Sequence, residues 1–147
     1  MLIKGSITAL VTPMNEQGDL DYDALEKLIN YQINSGISGL VAVGTTGESA
    51  TINFKDHIKL IEFFVKINKG RVHIIAGTGA NSTEEALHLT KEAKSAGADA
   101  ALLVSPYYNK PPQDGIYYHH MKIADEVDIP QILYNVPSRT SSFIEPE

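Results

Sequence analysis

Two threonine side chains stand side by side in a glycine-rich loop in the first third of the chain. Thr45 and Thr46 lie between Gly44 and Gly47, directly after the apolar run 40–43. If that run is a buried strand of a parallel sheet, the loop lies where α/β proteins build their sites. Backbone N–H groups and hydroxyl donors together suit a carboxylate or a phosphate. A strand-to-helix turn without a ligand explains the same pattern, and the sequence leaves both interpretations open.

A tyrosine and an arginine follow one another near the end of the chain. Tyr134 ends the apolar run 131–134, and its phenol could act as a general acid or base. Packing with a satisfied hydroxyl is the competing interpretation. Arg139 is one of two arginines, and its guanidinium could hold a carboxylate through two parallel hydrogen bonds. A surface ion pair is the alternative for this arginine.

Two further loops carry aromatic or small polar residues. Tyr107 and Tyr108 follow a proline in a proline-rich loop, where they could be site residues or anchors of a subunit interface. The segment 77–79 reads Gly-Thr-Gly, but it lacks the spacing of a dinucleotide fingerprint and the lysine of a P-loop. Asn81 or Ser82 would then simply cap the next helix.

Histidine and cysteine usage argues against a metal site. The chain has five histidines and no cysteine, and no two histidines at i, i+4 spacing enclose an acidic residue. The adjacent pair His119 and His120 is predicted to lie on a solvated helix face. We therefore predict no metal and no cofactor.

Composition excludes several classes of protein. Apolar residues make up 43% of the 147 residues and charged residues 20%, which is typical of one globular domain. The net charge is −6 and the lysines are scattered, so a nucleic-acid surface is not expected. The absence of cysteine suits a reducing compartment, and no segment reads as a signal peptide or a membrane span. We predict a cytoplasmic protein without membrane or nucleic-acid partners.

Five short apolar runs predict the strands. They are nearly continuous rather than alternating, as in strands that are buried on both faces of a parallel sheet. Their starts are 34, 32, 28 and 31 residues apart, which is about the length of a βα unit. The runs are 6–11, 40–43, 72–76, 100–104 and 131–134.

Helical periodicity fills the intervals between these runs. The first stripe includes Leu25 and Ile29, and a second lies around 58–67. The third helix opens with a capping box at 82–85 and ends near Gly97. The fourth, 113–127, has the weakest pattern. An open doubly wound sheet and a (β/α)8 barrel both fit this alternation.

The last residues favour part of a barrel over an open sheet, because a finished open sheet would not normally end in the first turn of a helix. A (β/α)8 barrel needs roughly 200–250 residues, so this chain would supply the first four βα units and the fifth strand. The final Glu145-Pro146-Glu147 reads as the first turn of a helix, with proline at its first position. We predict that residues 1–147 form a single domain, the incomplete N-terminal part of a TIM barrel.

Taken together, the loops resemble dihydrodipicolinate synthase (4-hydroxy-tetrahydrodipicolinate synthase), and the resemblance runs in order along the whole chain. The segments that carry it are 5–13, 44–49, 77–81, 106–109 and 134–140. The resemblance implies a class I aldolase that condenses pyruvate with L-aspartate 4-semialdehyde through a lysine Schiff base, in lysine and diaminopimelate biosynthesis.

The resemblance also implies the site residues. Tyr134 would be the proton donor and acceptor, Thr45 would pass protons between Tyr134 and Tyr108, and Tyr108 would reach into a neighbouring subunit. Thr46 would hold the pyruvate carboxylate, and Arg139 would meet the carboxylate of the semialdehyde. A homodimer or homotetramer follows from the role of Tyr108.

The Schiff-base lysine of this family lies at the end of the sixth strand, which this chain does not reach. The ten lysines present fall before strand one, on or beside helices, or outside the throat of the barrel. We therefore predict that the 147-residue chain alone is inactive and that the C-terminal half of the barrel is its physical partner.

Some members of the family are inhibited by lysine at the dimer interface. Phe54 stands where such enzymes often have a basic or polar residue, which leaves feedback control open. The matching positions here are Ser49, Ala50, His57, Asn81, Glu85 and Tyr107.

Two alternatives to the synthase remain. One is another aldolase of the same group, such as an N-acetylneuraminate lyase or a sugar-acid aldolase, against which Arg139 and the paired tyrosines argue. The other is a non-catalytic partial barrel.

Overall fold

A computed structural model describes residues 3–146, and in it strands and helices alternate along the chain. The strands are short and the first four helices are of ordinary length. In chain order the elements are β1 (Ile7–Ala9), α1 (Tyr22–Asn34), β2 (Gly39–Ala42), a 3-10 turn (Ser49–Thr51), α2 (Phe54–Asn68), β3 (His73–Gly77), α3 (Thr83–Ala96), β4 (Ala100–Val104), α4 (Gln113–Glu126), β5 (Gln131–Tyr134) and α5 (Pro137–Thr140).

The five strands form one parallel sheet in the order β1-β2-β3-β4-β5. Each strand is therefore a neighbour of the next one in the chain. A doubly wound sheet reverses its order at a switch point, whereas a (β/α)8 barrel does not. The sequential order is that of consecutive barrel units, and it brings the loops after all five strands to the same edge.

The predicted strands are confirmed, with shifts at their ends. β4 and β5 have the predicted bounds, and β2 and β3 differ by one residue at each end. The first run is predicted at 6–11, but β1 covers only Ile7–Ala9. Within the described residues β1 pairs only with β2, and Val11 is 50% exposed. The exposure of Val11 explains why the strand ends earlier than predicted.

Side chains that accept hydrogen bonds start the first three helices, whereas α4 and α5 have no such cap. Asp21 accepts a bond from the amide of Ala24 at 2.8 Å and so begins α1. Ser82 accepts one from the amide of Glu85 at 3.4 Å, as the predicted capping box requires. Gly97 ends α3 in the left-handed conformation with a φ of 95°, which a residue without a Cβ adopts readily.

The core lies where α1 and α2 pack on the sheet. Leu25 and Ile29 of the predicted stripe are buried, and they meet Phe64 and Leu60 of α2 above Leu40. Phe64 is 1% exposed, and removing a buried phenylalanine ring typically costs about 3–5 kcal/mol. This packing holds β2 and β3, the two strands that carry the glycine-rich loops.

The prediction for His119 and His120 is wrong. These residues are 5% and 6% exposed, so they do not lie on a solvated face. His120 shares its face of α4 with the buried Ile116 and Ile123, and the Nδ1 atom of His119 lies 2.8 Å from the hydroxyl of Thr83 on the α3 side. α4 therefore packs both histidines into the fold together with its two isoleucines, although the helix has a polar sequence.

The helix start predicted at 145–147 lies partly outside the described residues and stays a prediction. Glu145 and Pro146 have no regular secondary structure, and Glu147 lies outside the described residues. A short helix, α5, forms earlier, with Pro137 in its first turn. Within residues 3–146 no helix is both long enough and apolar enough to cross a membrane.

Candidate functional site

The Gly-Thr-Thr-Gly loop leaves the sheet through an unusual backbone conformation. Val43 is buried and has a φ of 51°, a left-handed conformation that a β-branched residue adopts only at a cost of about 1–3 kcal/mol. Thr45 and Thr46 follow in an exposed turn. Among residues 3–146, no backbone or side-chain oxygen accepts a bond from the amides of these two threonines. The loop therefore leaves two N–H groups and two hydroxyls without a hydrogen-bond partner among the described residues.

A buried threonine of the first loop holds this turn from below. The hydroxyl of Thr12 donates to the carbonyl oxygen of Gly47 at 2.7 Å. A Cβ on Gly47 would lie only 3.0 Å from the carbonyl oxygen of Leu10, so this position needs glycine for close packing. Thr12 is not among the predicted site residues. The available signal was a hydroxyl placed directly after an apolar run.

The end of β3 supports the same loop from the side. A Cβ on Gly77 would overlap the carbonyl group of Val43, so only glycine lets the two chains approach this closely. The Nε2 atom of His57 lies 2.7 Å from the carbonyl oxygen of Gly77, and as the donor it carries the proton. Burial lowers the pKa of His57, and the bond to Gly77 opposes this effect. The predicted cap by Ser82 is confirmed. In addition, Gly77 lets β3 pack closely against Val43.

The loops after β4 and β5 bring an exposed tyrosine close to the arginine segment. Tyr108 is 89% exposed with a φ of 73°, and its amide donates to the carbonyl oxygen of Thr140 at 3.4 Å. Tyr134 is half-buried at the end of β5, where its carbonyl oxygen accepts a bond from the amide of Ser105. Arg139 is exposed in α5, and no carboxylate of residues 3–146 forms an ion pair with it.

One cavity of about 360 Å³ joins several of these loops. Thr45 and Arg139 line it together, although 94 positions separate them in the chain. Thr46, Tyr108 and Tyr134 lie on the same loops but do not line this cavity. Five residues of the predicted lysine-binding set also line it, namely Ser49, Ala50, His57, Glu85 and Tyr107.

Electrostatics distinguish the part of this cavity that is lined by Glu85 and Tyr107. Burial raises the pKa of Tyr107, and the negative charge of Glu85 raises it further. The backbone of Asn81 opposes this rise in the pKa, and Asn81 itself does not line the cavity. Tyr107 therefore stays protonated at neutral pH and can donate its phenolic hydrogen.

A larger and more open cavity of about 710 Å³ lies between the loop before α1 and the start of α2. Its lining contains none of the predicted site residues. Across residues 3–146, His, Asp and Glu side chains do not gather into a group of three or more that could bind a metal ion.

Comparison with known proteins gives one consistent result. Residues 2–147 match the model of the Dihydrodipicolinate synthetase family. The 4-hydroxy-tetrahydrodipicolinate synthase of Pseudomonas putida (strain W619) is 60% identical over 146 residues, and the match covers 99% of this chain and 50% of that protein. The chain spans about half the length of the curated relatives it matches.

Solved structures agree with the sequence comparison. The crystal structure of dihydrodipicolinate synthase from Aquifex aeolicus is 55% identical with a TM-score of 0.94, covering 96% of this chain and 48% of that one. A chloride-inhibited dihydrodipicolinate synthase from Acinetobacter baumannii, complexed with pyruvate, is 53% identical with a TM-score of 0.96, covering 98% of this chain and 50% of that one. The five strands and their helices are therefore the N-terminal half of a TIM barrel.

Proposed function

This chain belongs to the Dihydrodipicolinate synthetase family, and we propose that the complete protein condenses pyruvate with L-aspartate 4-semialdehyde through a lysine Schiff base. In this proposal it is a cytoplasmic lyase of lysine and diaminopimelate biosynthesis. The observation that carries the proposal is the shared cavity of Thr45 and Arg139. A hydroxyl-rich loop and a guanidinium that meet in one cavity suit two small substrates, each of which bears a carboxylate.

Pyruvate is assigned to the loop after β2. The amides of Thr45 and Thr46 donate to no oxygen of the described residues, and backbone N–H groups bind carboxylates well. The hydroxyl of Thr46 would complete the hold on the pyruvate carboxylate. The relative from Acinetobacter baumannii that is complexed with pyruvate supports this choice of substrate.

Proton transfer is assigned to Tyr134, Thr45 and Tyr108. A phenol alone is a weak acid at neutral pH, and a chain of hydroxyls lowers the cost of moving its proton. Tyr108 is 89% exposed, which supports a role in the site of a neighbouring subunit within a homodimer or homotetramer. An exposed aromatic side chain of this kind is also typical of a subunit contact.

Arg139 is assigned to the carboxylate of the semialdehyde. A guanidinium binds a carboxylate through two parallel bonds, and Arg139 has no ion-pair partner among residues 3–146. The same arginine favours the synthase over an N-acetylneuraminate lyase-like aldolase, the main alternative.

The Schiff-base lysine is assigned to the half of the barrel that this chain does not include. No lysine lines the cavity that contains Thr45 and Arg139 among the described residues, and a reactive lysine needs desolvation or a charged neighbour to lower its pKa. We therefore expect residues 1–147 and the remaining strands to form one catalytic domain, and the 147-residue chain alone to be inactive.

The part of the cavity around Tyr107 is a candidate site for feedback inhibition by lysine. It combines Ser49, Ala50, His57, Glu85 and Tyr107 with the backbone of Asn81. Phe54 also lines it and lies against His88, with 4.9 Å between the ring centroids. An apolar ring offers no charge to an amino acid, so inhibition of the complete protein by lysine has to be measured directly.

The experiment uses the complete purified protein. Pyruvate and borohydride should add mass to a lysine beyond residue 147, and the protein should consume L-aspartate 4-semialdehyde in the presence of pyruvate. Arg139→Lys keeps the charge but loses the bidentate geometry. It should raise KM for the semialdehyde by about tenfold or more and leave pyruvate trapping intact.

Two results would overturn the proposal. One is the absence of a trapped lysine, and the other is turnover of N-acetylneuraminate without turnover of the semialdehyde. Activity of the isolated 147-residue chain would refute the assignment of the lysine to the other half.

A further inference from the structure

Two serines from neighbouring loops share a buried hydrogen bond. Ser105 follows β4 and Ser142 follows α5, and their hydroxyl oxygens lie 2.7 Å apart. They are 0% and 8% exposed. The hydroxyl of Ser142 donates to the carbonyl oxygen of Pro106 at 2.8 Å. A hydroxyl has one proton to donate, so Ser105 must be the donor to Ser142.

Thr140 extends this contact toward the arginine. Its hydroxyl has one proton and two carbonyl oxygens in reach, that of Ser142 at 2.8 Å and that of Val136 at 3.2 Å, and it accepts a bond from the amide of Ser142 at 3.3 Å. Its carbonyl oxygen accepts the bond from the amide of Tyr108. Thr140 is 2% exposed. We call Ser105, Thr140 and Ser142 together the hydroxyl clamp, because they join the loop after β4 to the loop after β5.

The clamp acts on a segment that cannot set its own position. α5 has four residues, and so short a helix is not stable by itself. Its local bonds run from the amides of Arg139 and Thr140 to the carbonyl oxygen of Val136. These bonds give the segment its shape, but they do not join it to the loop after β4. The buried neighbour Thr140 makes that connection.

We propose that the hydroxyl clamp fixes the segment that carries Arg139 to the loop after β4, and that Ser142 is a positioning residue for binding of the second, carboxylate-bearing substrate. This inference rests on the proposed function. The loop of Thr45 and Thr46 has separate supports in Thr12 and Gly77. Loss of the clamp therefore weakens binding of the semialdehyde and, through Tyr108, lowers kcat, and it leaves the binding of pyruvate unchanged.

The fold around the clamp has enough other bonds to survive its loss. The side chain of Asn135 exchanges two bonds with the backbone of Ile144, at 3.0 and 3.1 Å. Gln113 donates to the carbonyl oxygen of Phe143 and accepts from the amide of Glu145. Ser142→Ala should therefore fold, with the effect confined to the placement of 137–142.

The test compares Ser142→Ala with a matched control in the complete protein. Ser142→Ala should raise KM for L-aspartate 4-semialdehyde about tenfold and change KM for pyruvate less than about twofold, because a small misplacement of a binding group weakens only the contact it makes. Ser105→Ala should have the same effect, and the double variant should be no worse than either single one.

Asn68→Ala is the control. Asn68 is 3% exposed and makes two hydrogen bonds with Val72, at the opposite end of the sheet. Asn68→Ala removes buried hydrogen bonds, as Ser142→Ala does. It should therefore lower the melting temperature without changing either KM. Equal changes of both KM values in Ser142→Ala, no change, or the same split in Asn68→Ala would overturn the inference.

A second readout separates this inference from the proposed function. Hydrogen exchange of the amides of Tyr108 and Ser142 should speed up about tenfold or more in Ser142→Ala and not in Asn68→Ala. If the wild-type protein fails to condense the two substrates, the proposed function is lost and exchange alone decides on the clamp. If the wild type condenses them and the KM values do not split, the function stands and the clamp inference is wrong.

Discussion

The Nε2 atom of His57 donates a hydrogen bond of 2.7 Å to the carbonyl oxygen of Gly77. This bond joins α2 to the last residue of β3. Gly77 in turn touches Val43 and Gly44, the residues that lead into the loop of the two threonines. A side chain on the outer helix layer therefore supports the candidate pyruvate site through two backbone contacts.

His57→Ala should destabilise the protein. It leaves the buried carbonyl group of Gly77 without a partner and opens a cavity, which together cost about 2–4 kcal/mol. Urea unfolding of the complete protein would measure this change. His88→Ala on the neighbouring helix is the control, because His88 is 55% exposed, and its effect should stay within about 0.5 kcal/mol. Equal effects of the two variants would contradict the role of His57.

Gly77→Ala should impair the pyruvate site more than the fold. The added Cβ overlaps the carbonyl group of Val43, so the loop that holds pyruvate has to move. We expect KM for pyruvate to rise by about tenfold or more. Gly36→Ala is the control. Gly36 has a φ of 85° and open space around it, so an alanine there strains the backbone without displacing the loop that holds pyruvate. Unchanged kinetics in Gly77→Ala would show that the close approach is not needed.

His120→Phe should stabilise the protein and reduce its sensitivity to acid. Both ring nitrogens of His120 are buried without a hydrogen-bond partner among the described residues, so an apolar ring should gain about 1–2 kcal/mol at neutral pH. Burial, with the neighbouring His119 as a second cause, lowers the pKa of His120 to about 4 from 6.5.

The sign of the pH dependence follows from that shift. Between pH 6.5 and about 4 the unfolded chain binds more protons than the folded one. The free energy of unfolding is therefore highest above this window and falls as the pH falls through it. Thermal unfolding from pH 8 to 4 should show a weaker decline in His120→Phe than in the wild type. His88→Phe, at an exposed position, should leave the decline unchanged.

Lys69→Gly should stabilise the end of α2. Lys69 ends this helix in the left-handed conformation with a φ of 51°, which glycine adopts without the steric cost of a Cβ. The net gain should be about 0.5–1 kcal/mol in the melting of the complete protein. Lys66→Gly, inside the last turn, should have the opposite sign and cost about 1 kcal/mol. A loss of stability in Lys69→Gly would contradict this account.

Much of the fold and part of the site could be predicted from local patterns. Four apolar runs match strands to within one residue at each end, because burial on both faces of a sheet demands a continuous apolar stretch. Ser82 and Gly97 mark the ends of α3, since capping depends on residues within one turn. The prediction for His119 and His120 failed because burial on α4 depends on what packs against the helix.

The sequence by itself determined the alternation of strands and helices, the caps, and the placement of hydroxyls and one guanidinium directly after strands. These features depend on neighbours a few residues apart. Only the tertiary structure decided that the strands lie in sequential order, that Gly77 touches Val43, and that Ser105 meets Ser142 across 37 positions. The physical reason is that such contacts join segments distant in the chain, and their geometry comes from the packing of the whole sheet rather than from any local pattern.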